Sequence, residues 1–326
     1  MHINRLLFEI PCQNILGENV LWHEQEQALY WTDIQGKSLH KCAMTAEVID
    51  ILTADGIEPI NAKAKDDYLQ QVLQVFDLPF RLGSFAFTNH SDKLLAGFEN
   101  GLAVYSFTTG HIDWLCQQEV EAEHLRHNDG KCDPSGRFWL GSMVENTDTR
   151  KLSIEEQAAL YCFSFDKGEV HTMQALSGLH ISNGLCFSHQ GRVMYHTDSA
   201  SHKVYQYSLS KKGQIESRKQ FAKFDKNTFP DGACTDANDN VWIALWGAAC
   251  VACFDDKGNE LFRHPLPVTQ GTCVSIGGPN MNWLFVTSAS HNLNDEKRAK
   301  QARAGNLFVY EISDSIGVTE PHVTID

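Results

Sequence analysis

The pentapeptide LYWTD at residues 29–33 has two bulky apolar residues, a variable residue and a small residue, and this order recurs along the chain. The other copies are LLAGF at 94–98, FWLGS at 138–142, MYHTD at 194–198, VWIAL at 241–245 and LFVTS at 284–288. A polar segment precedes each copy, and in all copies but the first it is rich in Asn, Asp, Gly, Ser and Pro, which favour tight turns. Six copies with one internal order predict six repeats of one structural unit.

Each repeat is predicted to contain at least three strands. Short apolar segments precede the turns and alternating segments follow the pentapeptides, as in NVLW before LYWTD and SLHKC after it. The small residues of successive copies lie 43 to 65 residues apart, which suits blades of four strands with about 40 to 50 residues each. A β-sandwich of similar hairpins is the alternative, and the repeated order favours an all-β, six-bladed β-propeller.

The long interval between the first two copies predicts an insertion at residues 58–78. Apolar residues recur there at helical spacing, and two aspartates suit a helix start. We therefore expect a short inserted helix between blades one and two. The whole chain, residues 1–326, is predicted to form a single propeller domain, with strand-like LLFEI near the N-terminus pairing with the last blade to close the ring.

The composition excludes several classes of partner. The chain has 27 Lys and Arg against 41 Asp and Glu, and its net charge of −14 disfavours nucleic acid. No stretch approaches the roughly 20 apolar residues of a membrane span, and no secretory signal is expected. We expect a cytoplasmic monomer or small homo-oligomer whose ten cysteines are mostly reduced core residues.

Polar residues stand where the innermost strands of four blades should begin. They include Glu18, the run Arg126–Gly130, Asn183 and Asp231. Asn-Gly and Asp-Gly pairs often serve only as turns. Their recurrence at one point of four blades instead indicates a site on the propeller axis. Carboxylate and amide oxygens suit Ca²⁺, Mg²⁺, Mn²⁺ or Zn²⁺, so we expect one divalent cation there.

Four segments resemble a known family in order and spacing. They are LGENVLWHEQEQALYWTDIQGKSLHKC, RHNDGKCDPSGRFWLGSM, ISNGLCFSHQGRVMYHTDS and PDGACTDANDNVWIALWG. These segments resemble the senescence marker protein, regucalcin and gluconolactonase family, and the resemblance covers residues 14–312. It implies a six-bladed propeller that hydrolyses a sugar lactone to the aldonic acid with a divalent metal.

The resemblance also implies roles for individual residues. Glu18, Asn183 and Asp231 correspond to the metal ligands, and Asp231 is also the candidate catalytic base. Arg126 and Asn128 correspond to the substrate-contacting residues. A further substrate-contacting glutamate of some members falls on Asn146 when counted without gaps, with Glu145 adjacent, so Glu145 is the candidate to replace it.

Two other functions remain open from the sequence. One is a calcium-binding regulatory propeller, and the other is a hydrolase resembling phosphotriesterases. Serine-nucleophile catalysis is disfavoured because the chain lacks a GxSxG elbow. Histidines near the motifs are interpreted as strand or loop residues, namely His127, His180, His196 and His202. Trp246 either stacks on a sugar ring or only packs beneath the channel floor.

Overall fold

Six four-stranded antiparallel sheets surround one axis in a computed structural model that describes residues 2–53, 69, 71–117, 124–145, 151–313 and 316–325. The N-terminal strand is β1 (His2–Ile10). Blade one contains β2 (Gly17–His23), β3 (Ala28–Asp33), β4 (Ser38–Ala43) and β5 (Leu73–Asp77). Blade two contains β6 (Leu82–Phe87), β7 (Lys93–Phe98), β8 (Gly101–Ser106) and β9 (Ile112–Gln117). Blade three contains β10 (Leu125–Cys132), β11 (Phe138–Val144), β12 (Ala158–Asp166) and β13 (Glu169–Leu179).

The other three blades follow the same order. Blade four contains β14 (Ser182–Phe187), β15 (Val193–Asp198), β16 (Lys203–Leu209) and β17 (Ile215–Lys223). Blade five contains β18 (Phe229–Thr235), β19 (Val241–Trp246), β20 (Cys250–Phe254) and β21 (Glu260–Pro265). Blade six contains β22 (Gly271–Gly277), β23 (Trp283–Ser288), β24 (Leu307–Ser313) and β1. The α-helices whose bounds are described are α1 (Ala46–Thr53) and α2 (Asp295–Lys300).

The predicted six-bladed propeller is confirmed, and the pentapeptides form the second strand of each blade. The first strands contact one another around the ring in the order β2, β6, β10, β14, β18, β22 and back to β2. Neighbouring blades approach closely at the small residue of the repeat. A Cβ atom on Gly141 would lie 2.4 Å from the Cβ of Ser182 in the next blade. The small residue therefore lets adjacent sheets pack against each other.

The N-terminal strand closes the ring. β1 pairs antiparallel with β24, and Ile10 lies opposite Leu307. On the other side of this junction, Trp22 of blade one stacks on Phe285 of blade six with ring centroids 5.8 Å apart. The predicted pairing of the terminal segments is confirmed, and it covers the edge of β24 that would otherwise be exposed.

The prediction of a helix over residues 58–78 is wrong for its last part. Residues 73–77 form β5, which pairs with the outer edge of β4, and Phe76 packs against Phe107 of blade two. The apolar spacing also fits a strand, and pairing with the free edge of β4 decided the outcome. A short helix, α1, is present earlier, in the connection between β4 and β5 of blade one, and residues 69, 71 and 72 within the predicted range are also helical. Residues 58–68 and 70 lie outside the described residues.

The C-terminal segment, residues 316–325, crosses the face where the turns between first and second strands lie. Its carbonyl at Ile316 accepts from Ala237 of blade five, and Val323 donates to Phe87 of blade two. Glu320 forms an ion pair with Lys131, which lies on the innermost strand of blade three, and both side chains are largely buried. This segment therefore covers one mouth of the channel.

Two expectations drawn from composition can be compared with the structure. The described residues include all ten cysteines, none of which forms a disulfide, and eight of them are buried, as expected for reduced core residues. Within the described ranges, no helix has the length and apolar character needed to cross a bilayer.

Candidate active site

The first strand of each blade carries an irregular register near its start, at the uncovered mouth of the channel. In the four blades that carry predicted site residues, the shifts fall between Glu18 and Leu21, His127 and Gly130, Asn183 and Cys186, and Pro230 and Ala233. A bulge leaves residues outside the ladder and redirects their side chains. The repeat therefore places polar residues of each of these four blades at the axis, two of them, Arg126 and Asn128, from the first strand of blade three.

The backbone at two bulges adopts the left-handed conformation. Gly184 has φ +57°, and a Cβ atom there would lie 2.9 Å from the carbonyl oxygen of Asp231, so glycine fits this close approach. Asn19 has φ 44° and accepts a hydrogen bond from Phe85 N of blade two at 2.8 Å. Asn19 thus fixes the bulge that carries Glu18, and its side chain ties two blades together.

All six residues predicted for the site line one cavity of about 330 Å³ at this mouth: Glu18, Arg126, Asn128, Glu145, Asn183 and Asp231. They come from four blades and span more than 200 positions of the chain. The sequence placed these residues at the openings of separate repeats, and the structure shows that they line one cavity. Asn146 lies outside the described residues, so Glu145 is the acidic residue that the structure shows at this position.

Two carboxylates, from blades one and five, lie near each other at this mouth. Burial raises the pKa of Glu18 well above its ordinary value, and the negative charges of Asp231 and Asp129 raise it further. The pKa of Asp231 is also raised well above its ordinary value by burial and then by Asp129. A cation between these groups would relieve both the desolvation and the repulsion.

The hydrogen bonds of this group leave oxygen atoms free. Asn183 Nδ2 donates to Asp231 Oδ1, and Asn19 N donates to Glu18 Oε2 at 3.2 Å. The backbone N–H of Gly232 also donates to the Asp231 carboxylate, and among the described residues none donates to Glu18 Oε1. Hard oxygen donors are therefore available at the axis.

An arginine and carboxylate network forms the wall at blade three. Arg126 is 4% exposed, and its Nε donates to Glu145 Oε1 at 2.9 Å while its NH1 donates to Asn128 Oδ1 at 2.8 Å. Arg81 of blade two donates to both carboxylate oxygens of Glu145, at 3.0 and 2.8 Å, and is also paired with Glu99. Two guanidinium groups thus hold one carboxylate at the cavity wall.

The charge state of Glu145 follows from these contacts. Burial by itself raises the pKa of Glu145, but the hydrogen bonds and charges of Arg81 and Arg126 outweigh it and hold the pKa below its usual value. Glu145 is therefore an anion at neutral pH and acts as a hydrogen-bond acceptor.

Several residues of the cavity were missed by sequence reasoning. Arg81 supports Glu145 from behind, and Gln35, Ser199 and His291 line the cavity itself. A signal for the last three exists in the repeat, because each follows a pentapeptide within about three positions. Since first and second strands are antiparallel, the end of the second strand lies at the same mouth as the start of the first.

The histidines interpreted as strand or loop residues lie outside the cavity lining. His196 is buried beside the Oγ of Ser182, at 2.8 Å, and burial lowers its pKa to about 3. Burial likewise lowers the pKa of His127 to about 4. Trp246 lines the cavity and also packs against Leu16 and Ala289, so it supports the wall that it forms.

Comparison with known proteins places this chain in a family. Residues 16–290 match the pattern described as the SMP-30/Gluconolactonase/LRE-like region. Because the match spans most of the chain, the protein belongs to the SMP-30/gluconolactonase/LRE-like family. The resemblance noted in the sequence is confirmed.

Characterised relatives include enzymes named as lactonases. The chain is 30% identical over 300 residues to an L-arabinolactonase of Azospirillum brasilense, covering 91% of this chain and 88% of the relative. It is 27% identical over 314 residues to a 6-deoxy-6-sulfogluconolactonase of Pseudomonas putida, covering 94% of each. A solved structure of regucalcin from Agrobacterium tumefaciens, described as a calcium-binding protein, superposes with a TM-score of 0.80 at 24% identity and 97% coverage of both chains. This last likeness supports the fold.

Proposed function

We propose that this protein hydrolyses a sugar lactone to its aldonic acid and that the reaction depends on one divalent cation. The observation that carries the proposal is the convergence of Glu18, Asn183 and Asp231 on one cavity beside the buried pair Arg126 and Asn128. Arg126 and Asn128 are satisfied by partners within the protein. The carboxylates of Glu18 and Asp231, in contrast, lack a positive partner among the described residues, and burying such carboxylates without a cation costs stability. The relatives named as lactonases support the substrate class.

The donor atoms fit a hard or borderline divalent cation, and the ligands we propose are Glu18, Asn183 and Asp231. The described residues contain no cluster of three or more His, Cys, Asp or Glu side chains suited to a metal, so the amide oxygen of Asn183 and solvent would complete the set. Ca²⁺, Mn²⁺, Mg²⁺ and Zn²⁺ are the candidates, and the description of the Agrobacterium protein supports Ca²⁺. A bound cation would supply polarisation of the lactone carbonyl and charge stabilisation as the carbonyl oxygen becomes negative.

The chain's own residues would do the remaining work. Asp231 is the candidate base that takes a proton from the attacking water, through the oxygen not hydrogen-bonded to Asn183. Arg126 and Asn128 would orient the hydroxyl groups of the sugar, with Glu145 accepting a hydrogen bond from one of them. Binding the substrate in one orientation turns the attack of water into a positioned step.

The experiment is an assay of five- and six-carbon sugar lactones and one aryl phosphotriester, each with Ca²⁺, Mn²⁺, Mg²⁺ or Zn²⁺ after treatment with a chelator. Lactone hydrolysis that requires the added cation is the expected result. Hydrolysis of the phosphotriester alone would favour the phosphotriesterase alternative. Cation binding without either activity would favour the regulatory alternative.

Variants test the assigned residues. Asp231→Asn should lower lactonase activity by at least about 100-fold. Arg126→Ala should lower kcat/KM by roughly 10- to 1,000-fold, the range for one buried charge-assisted contact, while leaving cation affinity unchanged. Glu216→Gln on the exposed strand β17 is the matched control. Full activity of Asp231→Asn would remove that residue from the site. Cytoplasmic location and oligomeric state stay predictions.

A further inference from the structure

His291 lies at the cavity on a backbone that is held from both sides. It follows β23, and its N–H donates to the carbonyl of Ile15 at 2.8 Å, while its own carbonyl accepts from Gln270 Nε2 at 2.9 Å. The next residue, Asn292, adopts the left-handed conformation with φ 57° and begins the approach to α2. The position of the His291 backbone is therefore fixed between blades six and one.

The imidazole ring, in contrast, has no partner in the protein. Among the described residues, neither ring nitrogen of His291 forms a hydrogen bond, although the ring is partly buried and lines the cavity. A fixed backbone with an unpartnered polar ring aimed at a cavity is the arrangement of a ligand-contacting residue.

The charged groups around the ring favour its neutral form. Burial lowers the pKa of His291, and the positive charge of Arg126 lowers it further, while Glu145 and Asp33 act in the opposite direction and are outweighed. A neutral imidazole has one N–H donor and one acceptor nitrogen. His291 therefore offers a hydrogen-bond donor without adding positive charge to the cavity.

The ring also lies opposite the hydroxyl-orienting wall. Arg126 and Asn128 belong to blade three, and His291 follows the second strand of blade six, so the two stand across the axis in a ring of six blades. The carbonyl carbon of a lactone has two neighbours that point away from each other, the ring oxygen and the first hydroxyl-bearing carbon. When the carbonyl lies at the axis and the hydroxyl side faces blade three, the ring oxygen faces blade six.

We propose that His291 is a further catalytic residue, whose ring N–H donates a hydrogen bond to the ring oxygen of the lactone as the ring opens. This inference rests on the proposed lactonase function. In the step, the oxygen of water bonds to the carbonyl carbon, the bond from that carbon to the ring oxygen breaks, and its electron pair stays on the ring oxygen. The proton that Asp231 took from the water ends on this oxygen, and the hydrogen bond from His291 stabilises its negative charge until then.

The first test compares His291→Leu and His291→Gln on gluconolactone under the metal conditions that support the wild type. The Leu variant lacks a donor and should lose about 10- to 100-fold in kcat with little change in KM, which is below the roughly 100- to 1,000-fold range for one such donor because the ring is only partly buried. The Gln variant keeps an N–H donor and should retain kcat within about 5-fold. His171→Leu on the exposed side of β13 is the matched control.

The second test varies the leaving group. When an aryl lactone such as dihydrocoumarin opens, its ring oxygen becomes a phenolate, whose conjugate acid has a pKa of about 10. This leaving group needs little stabilisation by a hydrogen bond. If the wild type hydrolyses dihydrocoumarin, the Leu variant should keep kcat for this substrate within about 3-fold of the wild type. An equal loss on both lactones, or a Leu variant with full kcat on gluconolactone, would overturn the role of His291 and leave the proposed function standing. Absence of lactonase activity in the wild type would instead overturn the proposed function.

Discussion

Replacing Glu145 by Gln should destabilise the protein chiefly by leaving Arg126 without a counter-ion. The side chain of Arg126 is 5% exposed and that of Glu145 is 18% exposed, so solvent cannot replace the lost charge. Breaking a buried ion pair costs about 3 to 5 kcal/mol, and the partial exposure of Glu145 reduces our expectation to about 2 to 4 kcal/mol. A loss of about 3 kcal/mol lowers Tm by about 4 °C in a chain of this length.

The second arginine should matter less although it makes two hydrogen bonds to the same carboxylate. Arg81 is 21% exposed and keeps its ion pair with Glu99 when Glu145 is replaced. Partly exposed pairs contribute about 0 to 1 kcal/mol. The coupling energy between Arg126 and Glu145 should therefore exceed that between Arg81 and Glu145 by at least about 1 kcal/mol.

Two double-mutant cycles measure these couplings by equilibrium unfolding in urea at pH 7 with a chelator present. They combine Glu145→Gln with Arg126→Met and, separately, with Arg81→Met. In the Arg126→Met background, Glu145→Gln should lower the free energy of unfolding by no more than about 1 kcal/mol, because no buried positive charge is then left unpaired. Equal coupling energies, or a larger value for Arg81, would refute the argument that burial decides the strength of this network.

Three further predictions concern the cation, the pH dependence and the covered mouth of the channel. Ca²⁺ or another cation of the site, present at 100 times its Kd, should raise the wild-type Tm by about 4 °C. With a chelator present, Glu18→Gln should be more stable than the wild type, but the cation should not raise the Tm of this variant. An equal rise in the variant would contradict the role of Glu18 as a ligand. His196 stays neutral when folded, with a pKa of about 3, while the unfolded state takes up a proton below about 6.5, so stability falls as pH drops. Between pH 7 and pH 5, the free energy of unfolding in urea should fall by about 2 kcal/mol less in His196→Gln than in the wild type. The same dependence on pH in both proteins would disprove this. Glu320→Gln should lower the free energy of unfolding in urea by about 2 to 4 kcal/mol, because it leaves the buried charge of Lys131 unpaired. Adding Lys131→Met should restore part of this loss. An unchanged free energy of unfolding in Glu320→Gln would show that the pair is effectively solvated.

The repeat made the fold predictable from the sequence. Each pentapeptide carries its own strand, turn and small packing residue, and these local features agree with one another in all six blades. Since a propeller blade contacts mainly its neighbours, local patterns are enough to specify the architecture. The same consistency placed Glu18, Asn183 and Asp231 at equivalent points of separate blades.

Residues 73–77 show where local patterns fail. Their apolar spacing predicts a helix, yet they form β5, because an unpaired edge of β4 lies within reach and its backbone groups need partners. Helical periodicity is a property of a segment by itself, whereas strand pairing depends on a surface formed by the rest of the chain.

The six repeats and the polar residues that open the inner strands could be identified from the amino-acid sequence. The folded chain was needed to show which residues after each second strand reach the cavity and which groups support them. Arg81 holds Glu145 from the neighbouring blade, and His291 faces blade three from the opposite side of the axis. Such contacts join residues that are far apart in the chain, and they exist only because the pairing of β1 with β24 closes the ring and brings the ends of all six blades to one axis.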